Sequence, residues 1–231
     1  EDTDDDGDGI PDEIEDAGFN NGDGNGDGIK DSLQANVATQ FNPVTGGSTT
    51  LEVTGDCQLV TGFDIVKESE LQKQDAYFTY PVGLNDFSLK CDSPGQTATV
   101  TFYYNKSYDT STWSYKKYDT NTKEYTDISG QVTYGNKQVG GADVTTVSYK
   151  LTDGGPLDQD GLVNGEIHDP AGAAIKVPEV VVEAGESLGE SQNPSLAATG
   201  ENEWSLVIFG TMILLFSLVS SKRIKKKRIW N

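Results

Sequence analysis

Arginine is absent from residues 1–200, and the whole chain holds one histidine, one methionine and two cysteines. One His and two Cys are too few ligands for a structural zinc site. His168 stands beside an Asp-Pro pair and no G-x-S-x-G stretch occurs, so no Ser-His-Asp triad can be assembled. A glycine-rich phosphate loop is missing as well. Through residue 200 only 11 Lys oppose 35 acidic residues. Such a body repels phosphates, so no nucleic-acid partner is expected, whereas divalent cations suit it.

What is present falls into four zones. Residues 1–40 are rich in Asp, Gly and Asn, and residues 48–175 in Thr, Val, Tyr and Gly. Residues 176–203 form a Glu/Ser/Pro/Gly tether, and residues 204–231 are first apolar, then basic. The chain opens on Glu1, which reads as a mature form or a piece of something longer.

The second zone reads as all-β. Nine short segments are β-branched or aromatic and bounded by turn residues: TTLEVTG, QLVTGFDIV, AYFTYPVG, DFSLKC, TATVTFYY, TWSYKKYD, EYTDIS, QVTYG and VTTVSYKLT. In ATVTFYY, Ala98, Val100 and Phe102 alternate with Thr99, Thr101 and Tyr103, which suits a sheet with one buried face. No window of helical period competes, and the expected fold is a mainly β, two-sheet sandwich. Cys57 and Cys91 lie near expected strands; they form a disulfide in an oxidising compartment or else remain two buried thiols.

The front zone repeats itself. DDDGDGIPDEIE starts at Asp4 and DGNGDGIKDSLQ at Asp23. Aligned, they give Asp4, Asp6, Asp8 and Asp12, then Asp23, Asn25, Asp27 and Asp31, at positions one, three, five and nine. Position six is Gly9 or Gly28, and position seven, Ile10 or Ile29, offers its carbonyl. Ca²⁺ takes six to eight oxygens, and alternate residues of a tight loop turn theirs inward. Position twelve is Glu15 in the first loop, which can bind bidentately, and Gln34 in the second, which cannot. The intervening DAGFNNG leaves no room for EF-hand helices. The pair resembles thrombospondin type 3 repeats, which implies calcium-binding loops with little regular structure.

A second acidic loop closes the β zone: YKLTDGGPLDQDGLVNGEIHDPAG, Tyr149 to Gly172. Asp158, Asp160, Asn164 and Glu166, joined by Asp153 or Asp169, make either another calcium loop or ordinary Asx-turn chemistry. Together with the upstream YPVGLNDFSL, this stretch resembles the choice-of-anchor U domain over roughly residues 50–175. That resemblance implies an extracellular β domain of bacterial surface proteins, followed by an anchoring signal, with no known activity.

The C-terminus carries such a signal. Residues 204–221, WSLVIFGTMILLFSLVSS, are uncharged and, at about 1.5 Å per residue, at the short end for crossing a bilayer core of ~30 Å as a transmembrane helix. The basic block Lys222–Arg228 places the tail in the cytoplasm and the body outside. Just upstream, Leu196, Ala197, Ala198, Thr199 and Gly200 resemble the LPxTG sorting signal in an LAxTG form. The resemblance implies a sortase-like transpeptidase that cleaves after Thr199 and passes the chain to an amine of the cell envelope.

These readings converge on the C-terminal part of a calcium-binding, structural or adhesive bacterial surface protein that is not an enzyme. Two rivals stand beside it. One is a surface module that binds or cleaves glycans, using FYYNKSYDTSTWSYKKY to stack on sugars and a carboxylate pair for chemistry. The other is a stalk permanently held in the membrane.

Overall fold

The computed structural model describes residues 3–178. The LAATG motif at 196–200, the apolar segment 204–221 and the basic tail 222–231 lie outside the described residues, as does nearly all of the tether. Among the described residues no helix is long and apolar enough to cross a membrane.

The described body is mainly β, with two antiparallel sheets and few helices. The strands are β1 (Val37–Asn42), β2 (Gly47–Gly55), β3 (Leu59–Val66), β4 (Phe78–Thr79), β5 (Leu84–Lys90), β6 (Thr97–Tyr104), β7 (Trp113–Tyr118), β8 (Tyr125–Asp127), β9 (Thr133–Val139), β10 (Ala142–Thr152) and β11 (Glu166–Lys176). The first sheet runs β1-β2-β6-β10-β9; the second runs β3-β5-β11-β7-β8, with β4 added to β11.

Alternation explains how the sheets meet. Ala98, Val100 and Phe102 of β6 are buried in a core that also takes Phe63, Phe87, Leu89 and Ile167 from the second sheet. Phe102 is the central contact, with ring centroids 6.0 Å from Phe63, 5.7 Å from Phe87 and 6.2 Å from Tyr149. Burying such a side chain stabilises by about 1.5–3 kcal/mol. On the other face of β6, Thr99 and Thr101 are half-exposed, but Tyr103 is buried with Val139 and Val144 against Phe19. The front segment therefore covers the outer face of the first sheet.

Hairpin β9–β10 turns through Gly140 and Gly141, whose φ of 58° and 83° meet the type I′ demand at both central positions. Cys57, just after β2, is bonded to Cys91, just after β5. The bond ties the crossing between sheets to the end of the strand next to β3.

Three elements differ from the sequence reading. The β region begins at Val37, ahead of residue 48, because Val37–Asn42 pairs in register with Gly47–Glu52. AYFTYPVG supplies only the two-residue β4; its Tyr80 packs with Leu84, Tyr118 and Ala174. EIHDPAGAAIK, read as an acidic turn and the start of the tether, is β11, an interior strand of the second sheet. Its glycine has a packing cause: a Cβ on Gly172 would lie 2.5 Å from the Gly83 carbonyl oxygen and 3.0 Å from Leu84 Cα. Pro170 is tolerated because pairing with β7 begins only at Ala171.

Candidate metal centre

Residues 3–36 hold eleven Asp and Glu against one lysine, Lys30. The two front loops fold alike, and four hydrogen bonds recur at equivalent positions. The residue-two amide reaches residue nine: Asp5 N to Asp12 Oδ1, and Gly24 N to Asp31 Oδ2, both 2.9 Å. The residue-five amide reaches residue three: Asp8 N to Asp6 at 3.2 Å, Asp27 N to Asn25 at 3.1 Å. The residue-six amide reaches residue one: Gly9 N to Asp4 and Gly28 N to Asp23, both 3.2 Å. The residue-seven amide reaches residue five: Ile10 N to Asp8 at 2.7 Å, Ile29 N to Asp27 at 2.8 Å. Gly9 and Gly28 share a φ of 91°, left-handed backbone that costs a glycine nothing.

Oxygens of Asp4, Asp6 and Asp8 lie within 4.8 Å of one another. Asp12 and Glu15 stand outside that trio. Glu15 is the first loop's twelfth residue, on the short helix α1 (Asp12–Asp16), and is fully buried, its Oε1 accepting from Thr39 N at 2.9 Å. Asp31 is equally buried, and its Oδ2 accepts from the Thr39 hydroxyl at 2.6 Å. Thr39 of β1 thus holds the ninth residue of one loop and the twelfth of the other.

Among the described residues three buried carboxylate oxygens find no partner: Asp8 Oδ2, Glu15 Oε2 and Asp31 Oδ1. Burial pushes the Asp8 carboxyl up to about 7, Glu15 to about 9 and Asp31 to about 6, and neighbouring carboxylates add to each shift. Asp6 is raised too, first by burial. Carboxylates taken from water into one layer are unfavourable unless they are protonated or meet a cation. The single lysine does not serve them, because Lys30 pairs with Asp16 at 2.5 Å on the surface. These residues fit a divalent cation held by oxygen ligands.

Gln34, the second loop's twelfth residue, lies over its ligand set. Its Nε2 is 3.4 Å from Asp27 Oδ1 and 3.5 Å from the Ile29 carbonyl. Its backbone N–H donates to Asp6 Oδ2 at 3.0 Å, tying the end of the second loop to the first. Ile10 anchors the first loop by burying its side chain in the core, while Ile29 is 51% exposed. Sequence spacing found the loops but missed Thr39, which carries no signal as a strand threonine.

The rear acidic loop is built differently. Both oxygens of Asp158 accept from backbone N–H groups, of Gly154 and His168. Asp160 accepts from Leu162 N and the Asn164 amide. Asp153 accepts from Gly95, Asn164 and Gly165, which hold its carboxyl below the usual range although burial opposes them. Asp169 is taken by Lys117 and Tyr149, and Glu166 is exposed. Each of these Asp oxygens has a protein partner, as do those of Asp4 and Asp23 in the front loops; what the rear loop lacks is a buried carboxylate oxygen left without one.

Compared with known protein families, curated proteins and solved structures, the chain matches none. The site has to be read from its own geometry.

The rings of the sugar-stacking stretch are largely packed against other elements. Tyr103, Tyr104, Trp113, Tyr115 and Tyr118 are buried and Tyr108 is half-buried. Two carboxylates do share a cleft elsewhere: cross-strand partners Asp64 and Asp86 line a space of about 540 Å³ with Phe41, which is 57% exposed. His168 Nε2 lies 2.6 Å from Asp86 Oδ1 there.

Proposed function

We propose that this chain is a calcium-stiffened β-sandwich displayed on the outside of a bacterial cell envelope. The observation that carries the calcium reading is the pair of loops with one hydrogen-bond plan and three buried carboxylate oxygens left without partners. Ca²⁺ would take Asp4, Asp6, Asp8, Asp12, Glu15 and the Ile10 carbonyl in the first loop. In the second it would take Asp23, Asn25, Asp27, Asp31 and the Ile29 carbonyl. The ion supplies charge neutralisation and rigidity, and the role is structural: display, or adhesion through domains elsewhere in the protein. The rear loop, with no buried carboxylate oxygen left without a partner, is left out of the proposal.

The resemblance to thrombospondin type 3 repeats, to the choice-of-anchor U domain and to an LAxTG sorting signal supports an extracellular, envelope-anchored setting. A disulfide between Cys57 and Cys91 fits an oxidising compartment. A sortase-like enzyme would join Thr199 to an envelope amine. Calorimetric titration of Ca²⁺ into the chelator-treated full chain tests the calcium reading. Saturable heat is expected, and it should vanish in the double variant Asp8→Ala, Asp27→Ala. Heat unchanged by those substitutions would reject it. For the anchor, Thr199→Ala should leave export intact but make the protein extractable by detergent from a sortase-bearing host; wild type that extracts equally well refutes cleavage. The cleft of Asp64, Asp86 and Phe41 favours glycan binding as a second reading, with the phenyl ring against a sugar face. A glycan array on which Phe41→Ala changes nothing would remove it.

A further inference from the structure

The core of the body holds a polar trio that the metal loops do not use. Lys117 of β7 and Asn85 of β5 are both register partners of Ala171 on β11, so the three residues form one row across the second sheet. The Lys117 side chain is only 9% exposed and Asn85 is fully buried. Lys116, its neighbour on β7, points to the opposite face and meets Asp75 and the Phe78 ring. Adjacent strands lie ~4.8 Å apart, so Lys117 and Asn85 are about 10 Å apart at Cα. A lysine stem and an asparagine span that distance when only the methyl of Ala171 lies between.

Asp169, also fully buried, stands next to this row, its Oδ1 2.5 Å from Lys117 Nζ. Its Oδ2 accepts from the Tyr149 hydroxyl at 2.8 Å. Asn85 Nδ2 is 3.1 Å from the hydroxyls of Tyr104 and of Tyr115, and its buried Oδ1 has no partner. Taking an ammonium and a carboxylate out of water is costly, and a packed apolar set would be about as stable. The trio has the parts of a reaction: an amine, a carboxamide with a free carbonyl oxygen, and an acid beside the amine.

We infer that Lys117 and Asn85 become joined after folding by an amide bond between Nζ and Cγ. Burial raises the Asp169 carboxyl from its ordinary value, which helps it to take a proton from the Lys117 ammonium. The neutral amine swings over Ala171 and its lone pair attacks Asn85 Cγ. Asp169 gives its proton to Oδ1, takes one from the attacking nitrogen, and passes it to Nδ2. The Cγ–Nδ2 bond breaks, the Oδ1 proton returns to Asp169 as the carbonyl re-forms, and ammonia leaves; one C–N bond replaces another, and no oxidant is needed. A half-turn of the carboxamide sets Oδ1 on the two phenol hydroxyls, which would stabilise the developing oxyanion. Asp169 is the catalytic residue, and the product staples β5 to β7 across β11.

The deciding measurement is peptide mapping of the reduced, trypsin-digested full chain. The peptide holding Asn85 should be found linked to the one holding Lys117, lighter than their sum by one ammonia, with no cleavage after Lys117. Linked peptides are the readout because Asn-Gly sites such as Asn25-Gly26 lose ammonia on their own. Asn85→Ala and Lys117→Arg should each abolish the link. Asp169→Asn should slow its formation by about 100-fold or more, and Asp169→Glu should retain it. Unlinked peptides from folded wild-type protein would overturn the inference. So would a link from Lys117 to Asp169 with loss of water, or undiminished linkage in folded Asp169→Asn.

Discussion

Removing calcium should loosen the whole described body, and the size of the effect follows from how the front loops sit. A ligand at 100 times its Kd stabilises the folded state by about 2.7 kcal/mol per site. Two loops of one geometry should together contribute about 5 kcal/mol. In a domain of this size each kcal/mol shifts Tm by about 2–4 °C, so chelation should lower Tm by roughly 10–20 °C. The structure adds a condition on where the loss appears. Ile10 sits in the main core, Phe19 covers Tyr103, and Thr39 carries Glu15 and Asp31 on β1. On the calcium reading, loops attached this way would not release a cation alone. Amide exchange in β6 and β10, neither of which carries a ligand, should therefore accelerate with chelator. The assay is differential scanning calorimetry with and without chelator, paired with hydrogen exchange read by mass spectrometry. Asp4→Asn and Asp23→Asn should each remove about half of the Tm shift. Exchange in β6 and β10 indifferent to chelator would refute the coupling, and a single-loop variant that removes the whole shift would refute two independent sites.

Two further outcomes are expected. Replacing Cys57 and Cys91 by Ser opens a loop of sequence separation 34, which should cost about 3–4 kcal/mol in the chain-entropy account, read as a lower denaturant midpoint at similar slope; a loss under about 1 kcal/mol would contradict it. His168 is raised above its ordinary pKa, first by its bond to Asp86. A raised folded pKa means the pair's stabilisation is full below about 6.5 and fades as pH climbs through the folded value. Both side chains are partly exposed, so the loss should be about 0.2–1 kcal/mol, and the pH profile of His168→Gln at saturating Ca²⁺ should be flatter than wild type by that amount. Parallel profiles would show that the pair is not coupled to folding.

Much of the β architecture was legible because its strands alternate. TATVTFYY buries the face that Ala98, Val100 and Phe102 define, and the hairpin glycines announce a turn. β11 was hard to read for a physical reason: Gly172 answers a close chain approach, a stronger demand than strand propensity, and the Ala and Pro around it carry little strand signal. β1 was absorbed into the acidic zone since VATQFN carries little alternation of its own. At the site, spacing disclosed the ligand candidates. It did not disclose that Glu15 and Asp31 are buried together under Thr39, because burial of a carboxylate depends on what the loop lies against. The aromatic stretch misled for a similar reason: sequence gives ring density, while only packing says which side of a sheet the rings fill.

The described residues end just past β11, and this has a mechanical meaning. β11 is bordered by β5 along its first half and by β7 along its second, with β4 beside its end. Tension applied through the segment after Lys176 runs along the strand axis. It loads the flanking ladders in shear, many rungs together, where an edge strand such as β8 would peel one rung at a time. A strand poor in strand-forming residues would then be the one that bears the pull. Single-molecule stretching from the C-terminal side should show one high-force rupture, and a graded, low-force peeling would contradict this load path.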